Sequence, residues 1–122
     1  MNKPTLVIGA SENPERYASM AINMLKSYRH DVMALGKKKG MYSGVNIETD
    51  MSAFQDKPLD TVTLYLNPKN QEALYDKIIA LNPKRVIFNP GTENDDFQDK
   101  LKENGIAFEE ACTLVMLRTG QY

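Results

Sequence analysis

Short, almost continuously apolar runs alternate along this chain with stretches whose apolar residues fall every third or fourth position, and that alternation restricts the fold more than any other feature. Thr5-Leu6-Val7-Ile8 is the first such run. It breaks at Gly9, and beyond Ala10-Ser11-Glu12-Asn13-Pro14-Glu15-Arg16-Tyr17 the spacing becomes helical, with Ala18, Ala21, Ile22, Leu25 and Tyr28 on one face and Ser19, Asn23 and Lys26 left for the polar face. Asp31 to Leu35 reads as a second buried strand, ended by Gly36 and the lysines Lys37, Lys38 and Lys39. Residues 40–58 are less periodic: Gly40 and Gly44 suggest turns, and Met51 to Phe54 one short helix. Thr61 to Leu66 is a third strand, and Asn67-Pro68 supplies an N-cap and a first-turn proline for a helix running to about Leu81. Arg85 to Phe88 is the fourth strand, followed by the turn Asn89-Pro90-Gly91-Thr92 and a helix with Phe97 and Leu101 on its core face. Gly105 is placed to stop that helix in a left-handed cap, Ile106 to Glu109 is a fifth strand, and Thr113 to Arg118 a last helical turn.

Strands that are apolar on both faces must be covered on both faces. Alternating strands and helices achieve this by crossovers. The expected architecture is therefore α/β: a Rossmann-like doubly wound, three-layer domain with a five-stranded parallel sheet, spanning residues 1–122 as one unit. In such sheets ligands sit beyond the C-terminal ends of the strands, where strand order reverses. That directs attention to residues 9–17, 36–39, 67–70 and 89–92, and to the surroundings of Cys112.

Composition narrows the classes of function. Fifteen basic against sixteen acidic residues leave a net charge of -1, so no overall field favours nucleic acid or a membrane surface, and any anion site must be local. No apolar run approaches the ~18 residues needed to cross a bilayer, and no signal-peptide pattern opens the chain, so a cytoplasmic protein is expected. A single cysteine and a single histidine, His30, offer neither an internal disulfide nor a zinc pattern. No metal site is expected.

The first loop has the form of an anion grip, because a tight glycine turn delivers a ligand to the free N–H groups of a helix N-terminus. A dinucleotide fingerprint counted from Gly9 would need glycines at 11 and 14, where Ser11 and Pro14 stand. No Walker string occurs either. What remains is Ser11 and Arg16 beside a cationic second loop, which suits a nucleotide carrying a diphosphate and a separate ribose phosphate. Coenzyme A and NADP are the two common examples.

The Gly-x-Ser-x-x-Pro-x-Arg loop at 9–16, a glycine and basic residues after the second strand, a proline-bearing third loop, a glycine after the fourth strand and a late cysteine occur here in one order. In this the chain resembles the small single-domain CoA-binding proteins, relatives of the N-terminal domain of the succinyl-CoA synthetase alpha subunit. The resemblance implies that Gly9 and Ser11 approach the pyrophosphate and that Arg16 counters its charge, with Ala10 and Tyr17 of the same loop also among the cofactor-binding candidates. It also implies that Lys37 or Lys38, after Gly36, meets the ribose 3′-phosphate, and that Leu66 and Asn67 lie beside the adenine. Asn89 and Gly91 suit a backbone turn as well as a ligand contact and complete the candidate set. If CoA is the ligand, Cys112 is a candidate for a mixed disulfide with its thiol.

Acid-base or nucleophilic chemistry needs a base within hydrogen-bond reach of a nucleophile, and the expected mouth holds no histidine, one isolated cysteine and no paired carboxylates. No catalytic residue is assigned. The leading expectation is a module that binds coenzyme A or an acyl-CoA as a carrier, sensor or subunit of an acyl-CoA enzyme. The alternatives are an NADP-dependent or cysteine-based redox enzyme, and an interaction domain with a degenerate nucleotide site. Leu114 to Leu117 is apolar enough to cover the core or to meet a second copy or partner subunit.

Overall fold

The computed structural model describes all 122 residues. Strands β1 (Thr5–Ala10), β2 (Val32–Gly36), β3 (Gly40–Tyr42), β4 (Val45–Glu48), β5 (Thr61–Leu64), β6 (Arg85–Phe88) and β7 (Ala107–Glu110) form one sheet. Their order is β3-β4-β2-β1-β5-β6-β7. Helices α1 (Tyr17–Ser27), α2 (Pro68–Gln71), α3 (Tyr75–Leu81), α4 (Asp95–Glu103) and α5 (Thr113–Arg118) connect or follow them, with 3-10 turns at Met51–Phe54 and Glu72–Leu74. No helix is long and apolar enough to cross a membrane.

The expected strands are present as β1, β2, β5, β6 and β7, and they pair in parallel. The count of five is nevertheless too low. β3 and β4 add an antiparallel hairpin at the sheet edge, with Gly40 opposite Ile47 and Tyr42 opposite Val45, and β4 joins β2 in parallel. Ser43 (φ 52) and Gly44 (φ 78) make the two-residue turn, both in the left-handed region that such a turn requires. Gly40, expected in a turn, instead opens β3. Three- and four-residue strands are too short for alternation to register as a pattern, although Val45 and Ile47 do point inward while Asn46 is exposed.

β1 lies between β2 and β5. The chain passes outward through β2 to the hairpin and then returns to the other side of β1, so the order reverses at the β1–β5 pair. Leu6 and Ile8 of β1 face a core completed by Val62, Leu64, Val86 and Phe88 and covered by Ile78, Phe97 and Leu101. Val7 and Ala10 face the opposite core, with Ala18, Ile22 and Leu25 of α1, Ala34, Ile47 and Leu117 of α5. Each fully buried Leu, Ile or Phe side chain stabilises such a core by about 1.5–3 kcal/mol.

Helix ends follow the local chemistry. α1 stops where Arg29 turns left-handed (φ 66), with Arg29 N–H donating to the Lys26 carbonyl and His30 N–H to that of Leu25. α4 stops in the same way at Gly105 (φ 69). Asn67 caps α2 by accepting from Asn70 N–H at 2.9 Å, with Pro68 in the first turn. The helix expected from there to about Leu81 is interrupted, since α2 passes through the 3-10 turn at Glu72–Leu74 before α3 begins.

Candidate functional site

At the C-terminal end of the sheet, the loops after β1, β2 and β5 enclose a cleft of about 790 Å³. Gly9, Ala10, Ser11, Arg16, Gly36, Lys37, Lys38, Leu66 and Asn67 all line it. A smaller hollow of about 220 Å³ adjoins it, shares Gly9, Arg16, Tyr65, Leu66 and Asn67, and adds Tyr17 and Gly91.

Gly9 is where β1 changes direction. Its φ of +100 and the shift in pairing with β2, from Ile8 opposite Leu35 to Ala10 opposite Gly36, mark a bulge. That extra residue turns Ala10 to the same face as Val7. Tyr65 N–H donates to the Ile8 carbonyl at 2.8 Å, so the chain leaving β5 is drawn across Gly9, where a Cβ would stand 2.9 Å from the Tyr65 carbonyl oxygen. Gly36 is equally confined, because a Cβ there would lie 2.4 Å from the Ala10 carbonyl oxygen.

The loop from Ser11 to Arg16 is braced from within. Ser11 Oγ accepts from Asn13 N–H at 3.0 Å, and Asn13 Oδ1 accepts from Glu15 N–H at 3.0 Å. Ser19, expected on the polar face of α1, is fully buried instead, and its hydroxyl donates to the carbonyls of Ser11 (2.9 Å) and Asn13 (2.7 Å). A residue in the first turn of a helix lies beside the preceding loop, and hydrogen bonding to that loop overrides the helical face. The loop carbonyls are thereby turned inward. Left unpaired are the N–H groups of Tyr17, Ala18 and Ser19, which donate to nothing in the protein, together with the Ser11 hydroxyl proton and the Arg16 guanidinium. A set made only of donors, at the positive end of an 11-residue helix, attracts an anion. Lys37 and Lys38 bring two further cations to the same cleft. Leu35, Leu66, Ala73 and Leu74 add apolar surface to the lining of the same cleft. This donor set fits a nucleotide with two separated phosphate groups and a flat base.

Two candidates lie elsewhere. Asn89 lines neither hollow: it is buried, with its amide donating to Thr63 Oγ1 (2.6 Å) and the Leu64 carbonyl (2.9 Å) and its Oδ1 accepting from Thr113 N–H (2.9 Å). It ties β5, β6 and α5 together, and every polar atom of its side chain is committed to that task. Cys112, free and half-buried, precedes α5 and lines neither hollow. Glu12, Thr49, Tyr65, Asn70, Ala73 and Leu74 line the larger cleft without having stood among the candidates. For Asn70, Ala73 and Leu74 the available signal was their spacing of three and four along one face after the Asn67 cap. Burial pushes the Tyr65 phenol up to about 12, so it stays protonated. Its hydroxyl lies beside those of Thr63 and Thr113, which bond each other at 2.8 Å, and closes no hydrogen bond itself.

Residues 3–118 match the CoA binding domain family. The chain belongs to that family. No curated protein matches it. Among solved structures it is similar to a crystal structure of an uncharacterized protein, at 46% identity and a TM-score of 0.95, over 100% of this chain and 99% of the other. It also resembles a hypothetical protein from Pyrococcus horikoshii OT3, at 24% identity and a TM-score of 0.88, covering 97% and 83% of the two chains. An acetyl-coenzyme A synthetase 1 of Ca. Korarchaeum cryptofilum, solved with phosphate and ADP, shares the fold over 90% of this chain and 26% of its own, at 16% identity and a TM-score of 0.71.

Proposed function

We propose that this CoA-binding domain works as a stand-alone cytoplasmic module that holds coenzyme A or an acyl-CoA. In this reading the diphosphate meets the first turn of α1, Ser11 and Arg16. The ribose phosphate meets Lys37 and Lys38, and the adenine lies along Leu66 and Asn67 against Ala73 and Leu74. Coenzyme A supplies a thiol that carries acyl groups; the protein residues named here bind and orient the nucleotide end. Supporting the reading above all is the convergence of two separate donor groups, one from the loop after β1 and one from the loop after β2, on a single cleft that is also lined by apolar side chains. Charge-assisted hydrogen bonds to phosphate are the strong ones available to such a site.

Calorimetric titration with CoA, dephospho-CoA, NADP and ATP tests the reading. CoA is expected to bind most tightly, and dephospho-CoA more weakly because it lacks the group assigned to the lysines. If CoA bound no better than ATP, the reading would be wrong; if NADP bound best, a redox role would replace it.

A further inference from the structure

Glu12 is the one acidic residue among those lining the larger cleft. A free carboxylate there would oppose a phosphate at Ser11 and Arg16. It is held aside. Glu12 Oε2 accepts from the Met41 N–H of β3 at 3.1 Å. Met41 sits opposite Asn46, one step from the Tyr42–Val45 pair that flanks the two-residue turn, so its N–H points away from β4 and toward the open edge of the sheet. Gly40 makes the contact possible: a Cβ there would stand 2.6 Å from the Glu12 carboxyl carbon and 2.8 Å from both of its oxygens. The far end of the hairpin is tied separately to α1, by Asn23 Nδ2 donating to the Tyr42 hydroxyl (3.0 Å) and by Lys26 Nζ donating to the Ser43 carbonyl. Between Lys37 and β3 lie only Lys38 and Lys39. Whatever anchors β3 therefore anchors the lysine loop.

We propose that Glu12 is a positioning residue that sets the distance between the two anion-binding ends of the cleft. By gripping the outer edge of β3 it fixes Lys37 and Lys38 relative to Ser11 and Arg16, and so selects a ligand with two separated phosphate groups over one with a single group. This rests on the cleft being the CoA site proposed above.

The test is calorimetric titration of CoA and dephospho-CoA into the wild type, Glu12→Ala, Glu12→Gln and Gly40→Ala, with exchange of the Met41 amide followed by NMR. Glu12→Ala should weaken CoA by about fivefold, the equivalent of one typical net hydrogen bond, while dephospho-CoA changes far less, so that discrimination between the two shrinks. Glu12→Gln keeps an acceptor for Met41 and should keep the wild-type ratio. Gly40→Ala retains the charge but displaces the carboxylate, so it should weaken both ligands and also shrink the discrimination between them; in it and in Glu12→Ala the Met41 amide should exchange faster. If Glu12→Ala bound both ligands more tightly, or if Glu12→Gln behaved like Glu12→Ala, the charge and not the tie would matter and the proposal would fall. Unchanged discrimination in Glu12→Ala and Gly40→Ala would overturn it while leaving CoA binding intact. A wild type that did not bind CoA would overturn both.

Discussion

The two ends of the central strands are built to opposite rules. At the N-terminal end, polar and aromatic groups mostly engage one another, although Arg85 Nη2 is buried without a partner. Lys3 N–H donates to His30 Nδ1 at 2.9 Å, Lys3 Nζ to the main-chain oxygen of Tyr122 at 2.6 Å, and the Tyr122 hydroxyl bonds Thr5 Oγ1. Arg85 lies 4.5 Å from the Tyr122 ring centroid, donates to Thr61 Oγ1 at 3.1 Å and pairs with Glu109 at 3.4 Å. At the C-terminal end the same strands deliver Ser11, Arg16, Lys37 and Lys38 to a cleft, and Tyr17 and Ala18 of α1 to the hollow beside it, with their hydrogens lacking an acceptor in the protein. One end of the sheet is covered largely by the protein's own side chains, while the other leaves a cluster of donors unpaired. On the function proposed above, the contrast separates residues that hold the fold from residues that hold a ligand.

Three measurements would break or sharpen that contrast. Tyr122→Ala removes a largely buried ring, its contact with Arg85 and its bond to Thr5, and should cost about 3 kcal/mol of stability in urea unfolding; CoA affinity should not change. Arg16→Ala should do the reverse. It should weaken CoA by about 2 kcal/mol, the loss of a charge-assisted hydrogen bond, and leave the unfolding midpoint almost where it was. If either variant moved both quantities, the two ends would be coupled and the division would fail.

The smallest effect concerns pH. Burial, assisted by the positive N-terminus, Lys3 and Arg85, holds His30 below its ordinary value of 6.5. The unfolded chain therefore takes up this proton first as pH falls. His30 contributes stability that is fully present above pH 6.5 and is lost as pH drops from there through its lower folded value. Since protonation also removes the Nδ1 acceptor for Lys3 N–H, unfolding midpoints measured between pH 8 and 5 should fall more in the wild type than in His30→Gln. Equal slopes would detach His30 from the closed end.

Most of the layered fold was legible because it depends on burial, and burial leaves a periodic trace. β1, β2, β5, β6 and β7, the Asn67-Pro68 helix start and the Gly105 stop all follow from patterns spanning several residues. The hairpin was not legible. β3 is three residues long, and its turn is made by Ser43 and Gly44 between flanks too brief to show alternation. Cleft residues were readable where a loop carries its own chemistry, as at Ser11, Arg16 and Lys37. They were hidden where the role depends on a distant partner. Ser19 looked solvent-facing because helical spacing says nothing about carbonyls in the preceding loop, and Asn89 suited a turn and a ligand contact equally because its partners at Thr63, Leu64 and Thr113 are brought to it only by the sheet.

The crowding at Gly9 and Gly36 also bears on how relatives of this chain would diverge. A descendant that lost its ligand would still have Tyr65 pressed on one glycine and the Ala10 carbonyl on the other, so both would persist under selection for folding alone. Arg16, Lys37 and Lys38, whose side chains make no hydrogen bond within the protein, would drift first. In this lineage the glycine that looks most like a signature of binding is the one least able to report that binding has been lost.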